Sequence, residues 1–363
     1  MDFALSDEQL ELQRSVREFL QSRYPTERVI EIATGPGWNR EWWSEVAGLG
    51  WTAISVPEDR GGLGLSFLEE ALVLEQMGWA LFPGPYLSTV VLALPALSAA
   101  PDLQKEVAAG NRTATLAWAG PDGEFRDSDL AVAAEPEGDG WRLSGAAMFV
   151  PDATVADLLV VAASTAEGPG LWAVEAGSDR VAVEEVPTVD TTRRLGTVRL
   201  DRAPARALAS ANDATAVLGV IRNRALAGLA AEAVGVASRA LDLAVEHAGS
   251  REQFGRLIGV YQAVSHSLAD AFVETESARS LAYWAAWAVA SDADDADDAA
   301  AAAKAFAAEA AVRTCERAIQ VHGGIGFTWE HPLHRYYRRA LGIAALMGWP
   351  AEHRAGLAAS LLD

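Results

Sequence analysis

The spacing of apolar side chains changes twice along the 363 residues of this chain, and that double change limits the folds open to it more than any single motif. In the first stretch, Leu12, Val16, Phe19 and Leu20 recur at the three- and four-residue intervals of one helix face. Ser6 with Gln9 three positions later is the pattern of a helix start in which side chain and backbone cap each other. Further helices are expected over 40–49 and 66–80, the latter entered through the turn Pro57-Glu58-Asp59-Arg60-Gly61-Gly62.

Beyond about residue 110 the pattern becomes that of short strands, at 113–118, 130–134, 141–145, 158–163, 171–174, 181–186 and 198–201. Gly, Pro and Asp separate them at short intervals, as in a small sandwich or barrel. Parallel strands joined by crossover helices would need helical segments between them, and none is present. Gly61-Gly62-Leu63-Gly64 therefore reads as a turn before a helix, not as the phosphate loop of a dinucleotide fold. Helical spacing then returns over 225–247, 261–290 and 299–322, runs long enough to predict a four-helix bundle. The acidic run from Ser291 to Asp298 falls between two of these helices, as a solvated loop and an acidic helix start. The expectation is an α+β chain with a helical domain at 1–110, a β-domain at 111–206 and a helical bundle at 207–363.

Composition narrows the function. Fifty acidic against 29 basic residues give a net charge of −21, which excludes a nucleic-acid binder, since phosphate neutralisation requires a basic face. An anionic ligand would have to be met by local arginines. Cys315 is the only cysteine, so there is no disulfide framework, and a reducing, cytoplasmic setting is expected. No membrane span is expected, because the apolar stretch 90–100 is too short, and the acidic start MDFALSDEQL lacks the features of a signal peptide. Trp42, Trp43 and Trp51 are expected in the N-terminal core. No metal is expected. His331-x-x-His334 is the nearest approach to ligand spacing, and both histidines are expected at the surface. No serine or cysteine sits in a nucleophile-elbow context.

Three segments carry a family resemblance. Gly50-Trp51 followed by Val56-Pro57-Glu58-Asp59-Arg60-Gly61-Gly62-Leu63-Gly64, then Arg251-Glu252-Gln253-Phe254-Gly255-Arg256, then Gln320-Val321-His322-Gly323-Gly324-Ile325-Gly326-Phe327, stand in this order. Together they resemble the acyl-CoA dehydrogenase family. The resemblance implies the acyl-CoA dehydrogenase-like fold, an FAD cofactor, an acyl-CoA substrate, an electron-transfer acceptor and a homo- or hetero-oligomer built as a dimer of dimers. It also implies that Arg251, Gln253, Phe254, Gln320, Gly323 and Gly324 hold the ADP half of a flavin whose ring lies in a neighbouring subunit. The residue types suit that role, since Arg251 offers charge-assisted hydrogen bonds, the two glycines give backbone access, and Phe254 offers an apolar face. The implied reaction is α,β-dehydrogenation of the thioester: a carboxylate takes the α-proton and the β-hydrogen passes to the flavin as hydride.

The chain departs from the family at the base. Counting from Gly323-Gly324, the usual glutamate position is Met347; counting back from Val234-Gly235, the alternative position is Ala225. The usual Thr-Glu-Pro-Gly flavin segment is replaced near Ala117-Trp118-Ala119-Gly120-Pro121. The Trp-x-Thr segment reads Phe149-Val150-Pro151, in which Phe149 keeps an apolar wall and Pro151 has neither a hydroxyl nor an N–H. Three readings follow. In the first, a base lies elsewhere on the chain, with Glu232, two turns past Ala225, as candidate and Glu330, His331 and His334 as further ones. In the second, a longer, related partner chain supplies it, as in heterotetrameric members of bacterial steroid side-chain degradation. The third is different chemistry on the same fold, either a flavin-dependent monooxygenase or a non-catalytic flavin-binding scaffold subunit.

Overall fold

The computed structural model describes residues 5–35, 39–120, 123–127 and 129–362; Pro121 of the replaced flavin segment lies outside the described residues. Five helices form the first part: α1 (Asp7–Arg23), α2 (Thr26–Thr34), α3 (Arg40–Gly48), α4 (Phe67–Ala80) and α5 (Pro101–Ala108), with a π-helical stretch at Leu87–Ala93. Ser6 caps α1 as expected: its hydroxyl accepts from the Gln9 N–H at 3.2 Å, and the Gln9 side chain accepts from the Ser6 N–H at 3.0 Å. Ser66 and Glu69 repeat this device at the start of α4. Trp43 and Trp51 are buried in the core beneath these helices.

Helix α4 is buried on almost every side, so it is the centre of the molecule and not a surface helix. Its carboxylates survive there because each has a partner. Glu70 accepts from Arg224 at 2.5 Å, and Glu75 accepts from Arg279 at 3.1 Å and from the Tyr283 hydroxyl at 2.6 Å.

Seven strands follow: β1 (Ala114–Ala117), β2 (Val132–Glu137), β3 (Gly140–Pro151), β4 (Leu158–Thr165), β5 (Gly168–Glu175), β6 (Val181–Val186) and β7 (Leu195–Ser210). Pairings β2–β3, β3–β7, β7–β5, β5–β4 and β4–β2 close a ring, so the sheet is a small barrel. Two of its contacts, β1 with β4 and β2 with β4, are parallel, and other strands of the same sheet supply the connections in place of crossover helices. Val132, Leu143, Val161, Trp172 and Val198 fill the interior.

The last part comprises α6 (Ala211–Ser250), α7 (Gln262–Ala290), α8 (Ala296–His322), α9 (Leu333–Ala345) and α10 (Pro350–Leu362). Helices α6 to α9 pack on one another as the bundle, and α10 lies against α8. Helix α6 begins well before residue 225, the start expected from the sequence pattern, because Ala214, Leu218 and Ile221 extend the buried stripe backwards. It meets α4 at backbone distance. A Cβ on Gly235 would fall 1.8 Å from the Glu75 carbonyl oxygen, and one on Gly78 would fall 2.1 Å from that of Glu232. Only glycine allows this crossing.

Candidate active site

Helix α6 ends at Ser250, and the chain turns through a short hairpin of β8 (Glu252–Gln253) and β9 (Arg256–Leu257). Its two corner residues, Phe254 and Gly255, have φ of 53° and 74°, as a tight two-residue hairpin demands. That turn lifts the Phe254 ring clear of the surface, where it is 93% exposed. Arg251 and Gln253 are exposed beside it. Helix α8 ends close by: the His322 ring stacks on His247 of α6, centroids 4.3 Å apart, so Gln320, Gly323 and Gly324 reach the same end of the bundle as Arg251. Gly323 has φ 66° and ψ −142°, and a Cβ on either Gly323 or Gly324 would meet nothing within 4 Å. The result is an open shelf of backbone beside a guanidinium and an exposed phenyl ring, which suits the pyrophosphate and adenosine of a dinucleotide. Six of the seven cofactor-binding candidates thus lie at this end of the bundle.

Phe149 lies elsewhere, on β3 with φ 52°. It lines a mainly apolar cavity of about 560 Å³ between the barrel and α9, with Phe125, Leu341, Leu346 and Trp349 among the walls. A neighbouring cavity of about 440 Å³ is lined by Met347, Arg222, Glu352 and His353. Met347 sits in the turn after α9 with φ 63° and is 6% exposed. Ala225 is fully buried in α6. Neither position presents a proton acceptor.

Glu232 is held where all three parts meet. Its carboxylate accepts from Arg193 Nη2 at 2.5 Å and from Arg339 Nη1. Arg339 also donates from Nε to Asp190 at 2.6 Å and from Nη2 to the Thr192 carbonyl at 2.9 Å. Burial pushes the Glu232 pKa up, but the two guanidiniums outweigh it and leave the group below the ordinary glutamate value. Such a carboxylate is a weak base, and each of its oxygens already accepts from a guanidinium. The cavity it touches measures about 20 Å³, room for one water.

His334, expected at the surface from the sequence, is 7% exposed: the first turn of α9 turns it inward against Trp329. His331 packs on His322 at 4.5 Å between centroids, and burial together with the neighbouring imidazoles pushes it down to about 4. Sequence reasoning also passed over Lys304. It is fully buried on α8, and its Nζ donates to the carbonyls of Ala344 and Gly348 at 3.3 and 3.2 Å, bracketing Met347. A single lysine inside the run Ala-Ala-Ala-Lys-Ala was the available signal.

A helical part, a small barrel and a long-helix bundle in this order, meeting at one buried site, define the three-part architecture of flavin-linked thioester dehydrogenases. The families described as Acyl-CoA dehydrogenase, N-terminal domain, and Acyl-CoA dehydrogenase, C-terminal domain, match residues 6–107 and 222–362. The chain is 31% identical over 308 residues to the acyl-CoA dehydrogenase IpdE2 of Mycolicibacterium smegmatis, covering 84% of this chain and 82% of that one. Its structure matches a chain of the ChsE4-ChsE5 complex from Mycobacterium tuberculosis with a TM-score of 0.91 at 32% identity, covering 100% of this chain and 99% of that one. A variant of the Tcur3481-Tcur3483 steroid ACAD matches with a TM-score of 0.87 at 34% identity, over 98% of each chain. The chain belongs to the acyl-CoA dehydrogenase family and is an acyl-CoA dehydrogenase-like enzyme. No helix among the described residues is long and apolar enough to cross a membrane.

Proposed function

We propose that this chain is one subunit of a hetero-oligomeric acyl-CoA dehydrogenase that carries out α,β-dehydrogenation of an acyl-CoA thioester with FAD, a related partner chain supplying the catalytic base. The observation that carries this reading is the pair of vacant base positions: a thioether at Met347 and a methyl group at Ala225, while Glu232 is committed to two arginines. The division into domains at 1–110, 111–206 and 207–363 belongs to the same reading.

In this assignment Arg251 holds the pyrophosphate oxygens, Gly323 and Gly324 let the backbone approach them, and Gln253 and Gln320 hydrogen-bond adenine or ribose. Phe254 covers the adenosine from a hairpin that projects beyond its own subunit. Phe149 forms an apolar wall of the cavity facing Trp349. Bound FAD supplies the acceptor for the β-hydrogen. The ChsE4-ChsE5 neighbour is a complex of two named chains, which supports assembly with a second chain here. The Tcur3481-Tcur3483 protein is called a steroid ACAD, which puts steroid-derived acyl thioesters first among substrates to screen.

The test is expression of the chain alone and together with a longer homologue that carries the glutamate, followed by an acyl-CoA screen with an artificial electron acceptor. The complex should turn over and the chain alone should not. Turnover by the isolated chain would overturn the partner requirement, and oxygen uptake with reduced flavin would favour the monooxygenase reading instead.

A further inference from the structure

We infer that Trp329, His334, Arg335 and Arg338 form a second anion site, shaped for a phosphate group and separate in its residues from the Arg251 shelf. Pro332 before helix α9 makes no side-chain cap, His331 Nδ1 accepts the Leu333 N–H at 3.3 Å, and the first turn carries His334 and Arg335 with no acidic residue. Basic side chains here are opposite to the usual placement, because the positive dipole end of a helix favours negative charge. Something anionic would relieve it.

The side chains point to the same conclusion independently. His334 is 7% exposed, and neither ring nitrogen has a hydrogen-bond partner. Arg335 is 4% exposed; its Nε has no partner, and its Nη1 makes one long bond, 3.4 Å, to the Thr191 hydroxyl. Arg338 donates to the Val189 carbonyl at 3.4 Å. Among the described residues neither arginine makes an ion pair; the nearby carboxylate, Asp190, is taken by Arg339 and the Thr192 N–H. All three basic groups converge on one indole. The His334 ring lies 4.6 Å from Trp329, and the guanidinium carbons of Arg338 and Arg335 lie 4.6 and 5.6 Å from it. Trp329 itself is 63% exposed, so the cluster opens to solvent.

Two guanidiniums call for a doubly charged oxyanion, and their forked donors match phosphate oxygens. In a chain of net charge −21 a basic cluster without a direct ion pair is against the trend of the surface. Burial and the charges of Arg335, Arg338 and His331 push His334 down to about 4, so it is neutral at pH 7 and free to hydrogen-bond the anion. The phosphate can be free or part of a nucleotide.

The site is tested by calorimetric titration of the full chain with inorganic phosphate and, separately, with ADP, alongside Arg338→Gln, Trp329→Leu and Arg251→Ala. Phosphate should bind the unaltered chain and Arg251→Ala alike, and at least tenfold more weakly to Arg338→Gln. The imidazole NMR signal that disappears in His334→Gln should titrate closer to the ordinary histidine value, about 6.5, when phosphate is bound. ADP binding that survives Arg251→Ala but not Arg338→Gln identifies a nucleotide phosphate; ADP binding that follows Arg251 alone leaves free phosphate as the ligand. Equal phosphate affinity in the unaltered chain and Arg338→Gln, or an unmoved His334 signal at saturating phosphate, overturns the inference. The FAD assignment does not depend on it, since Arg251→Ala reports on that shelf separately.

Discussion

Replacing Lys304 by methionine removes a fully buried ammonium from α8 while keeping the side chain's length and most of its volume. Burial pushes the Lys304 pKa down to about 7, with Glu352 pulling weakly the other way. An unfolded lysine titrates near 10.4, so folding costs on the order of 5 kcal/mol whenever the unfolded chain and the folded chain would both be charged. That cost is fully present below pH 7. It declines as pH rises from 7 towards 10.4, because the folded group is then already neutral while the unfolded one still binds a proton, and it vanishes above. The unaltered protein should therefore gain about 1.4 kcal/mol per pH unit in that window from this one group. Lys304→Met lacks the gain. Its stability at pH 7 reflects relief of the burial cost against the loss of a donor by the Ala344 and Gly348 carbonyls, about 1–3 kcal/mol each. Those two effects are of similar size, so the slope, not the offset, is diagnostic. Urea unfolding of both proteins at pH 7.0, 8.0 and 9.5 should show the gap moving about 3 kcal/mol towards the unaltered chain. Every other titrating group is common to the two proteins, so its contribution cancels from the gap. Parallel curves would refute the reasoning by showing that Lys304 is solvated in the folded state.

Arg251→Ala should reduce FAD retention in the assembled oligomer by about tenfold or more, the size of a lost charge-assisted hydrogen bond, as read from flavin absorbance per chain. Unchanged flavin content would remove the shelf assignment. Glu232→Gln should destabilise the chain by about 3–5 kcal/mol, because it leaves Arg193 and Arg339 facing a neutral amide in the interior. Turnover per folded complex should hold; if it collapses while folding does not, Glu232 is the base after all. Gly235→Ala should cost about 1–3 kcal/mol or more in thermal or urea unfolding, since its methyl group meets the Glu75 carbonyl. A neutral result there would mean that α4 and α6 separate more easily than their contact suggests.

The architecture was legible wherever a local pattern also settled the tertiary outcome. The Ser6–Gln9 capping box, the strand 181–186 and the loop before α8 depend on neighbours in sequence, and they stand where the pattern puts them. The start of α6 was less legible, because Asn212, Asp213, Gly219 and Asn223 are poor helix formers and the stripe of Ala214, Leu218 and Ile221 becomes helical by packing. His334 shows a harder limit. Its spacing from His331 is compatible with either face of a short helix, and only the docking of α9 against the 189–192 segment turns it inward. The ion cluster was invisible for the same reason: Asp190 and Arg193 come from the β6–β7 connection, Glu232 from α6 and Arg339 from α9.

That cluster also bears on how the chain shares its work. The three parts of the molecule converge on Glu232, Arg193, Asp190 and Arg339, and the space left there holds about one water, too little for an acyl chain. The open volume lies to one side, in the apolar cavity between Phe149 and Trp349. A charge network buried at a domain junction is costly unless every member is paired, and breaking one member leaves the others exposed to that cost. The junction is therefore stiff, so moving α9 or the 187–194 connection to admit a ligand at Glu232 would disrupt several charged hydrogen bonds at once. A ligand entering this subunit has the Phe149 cavity available, and the turn beside it carries Met347 where a base would be needed. The exposed Arg251–Phe254 hairpin lies at a different part of the bundle, facing outward. Taken with the vacant base positions, this separation of a closed junction from an outward-facing grip favours a subunit whose main contribution to the reaction is made across an interface.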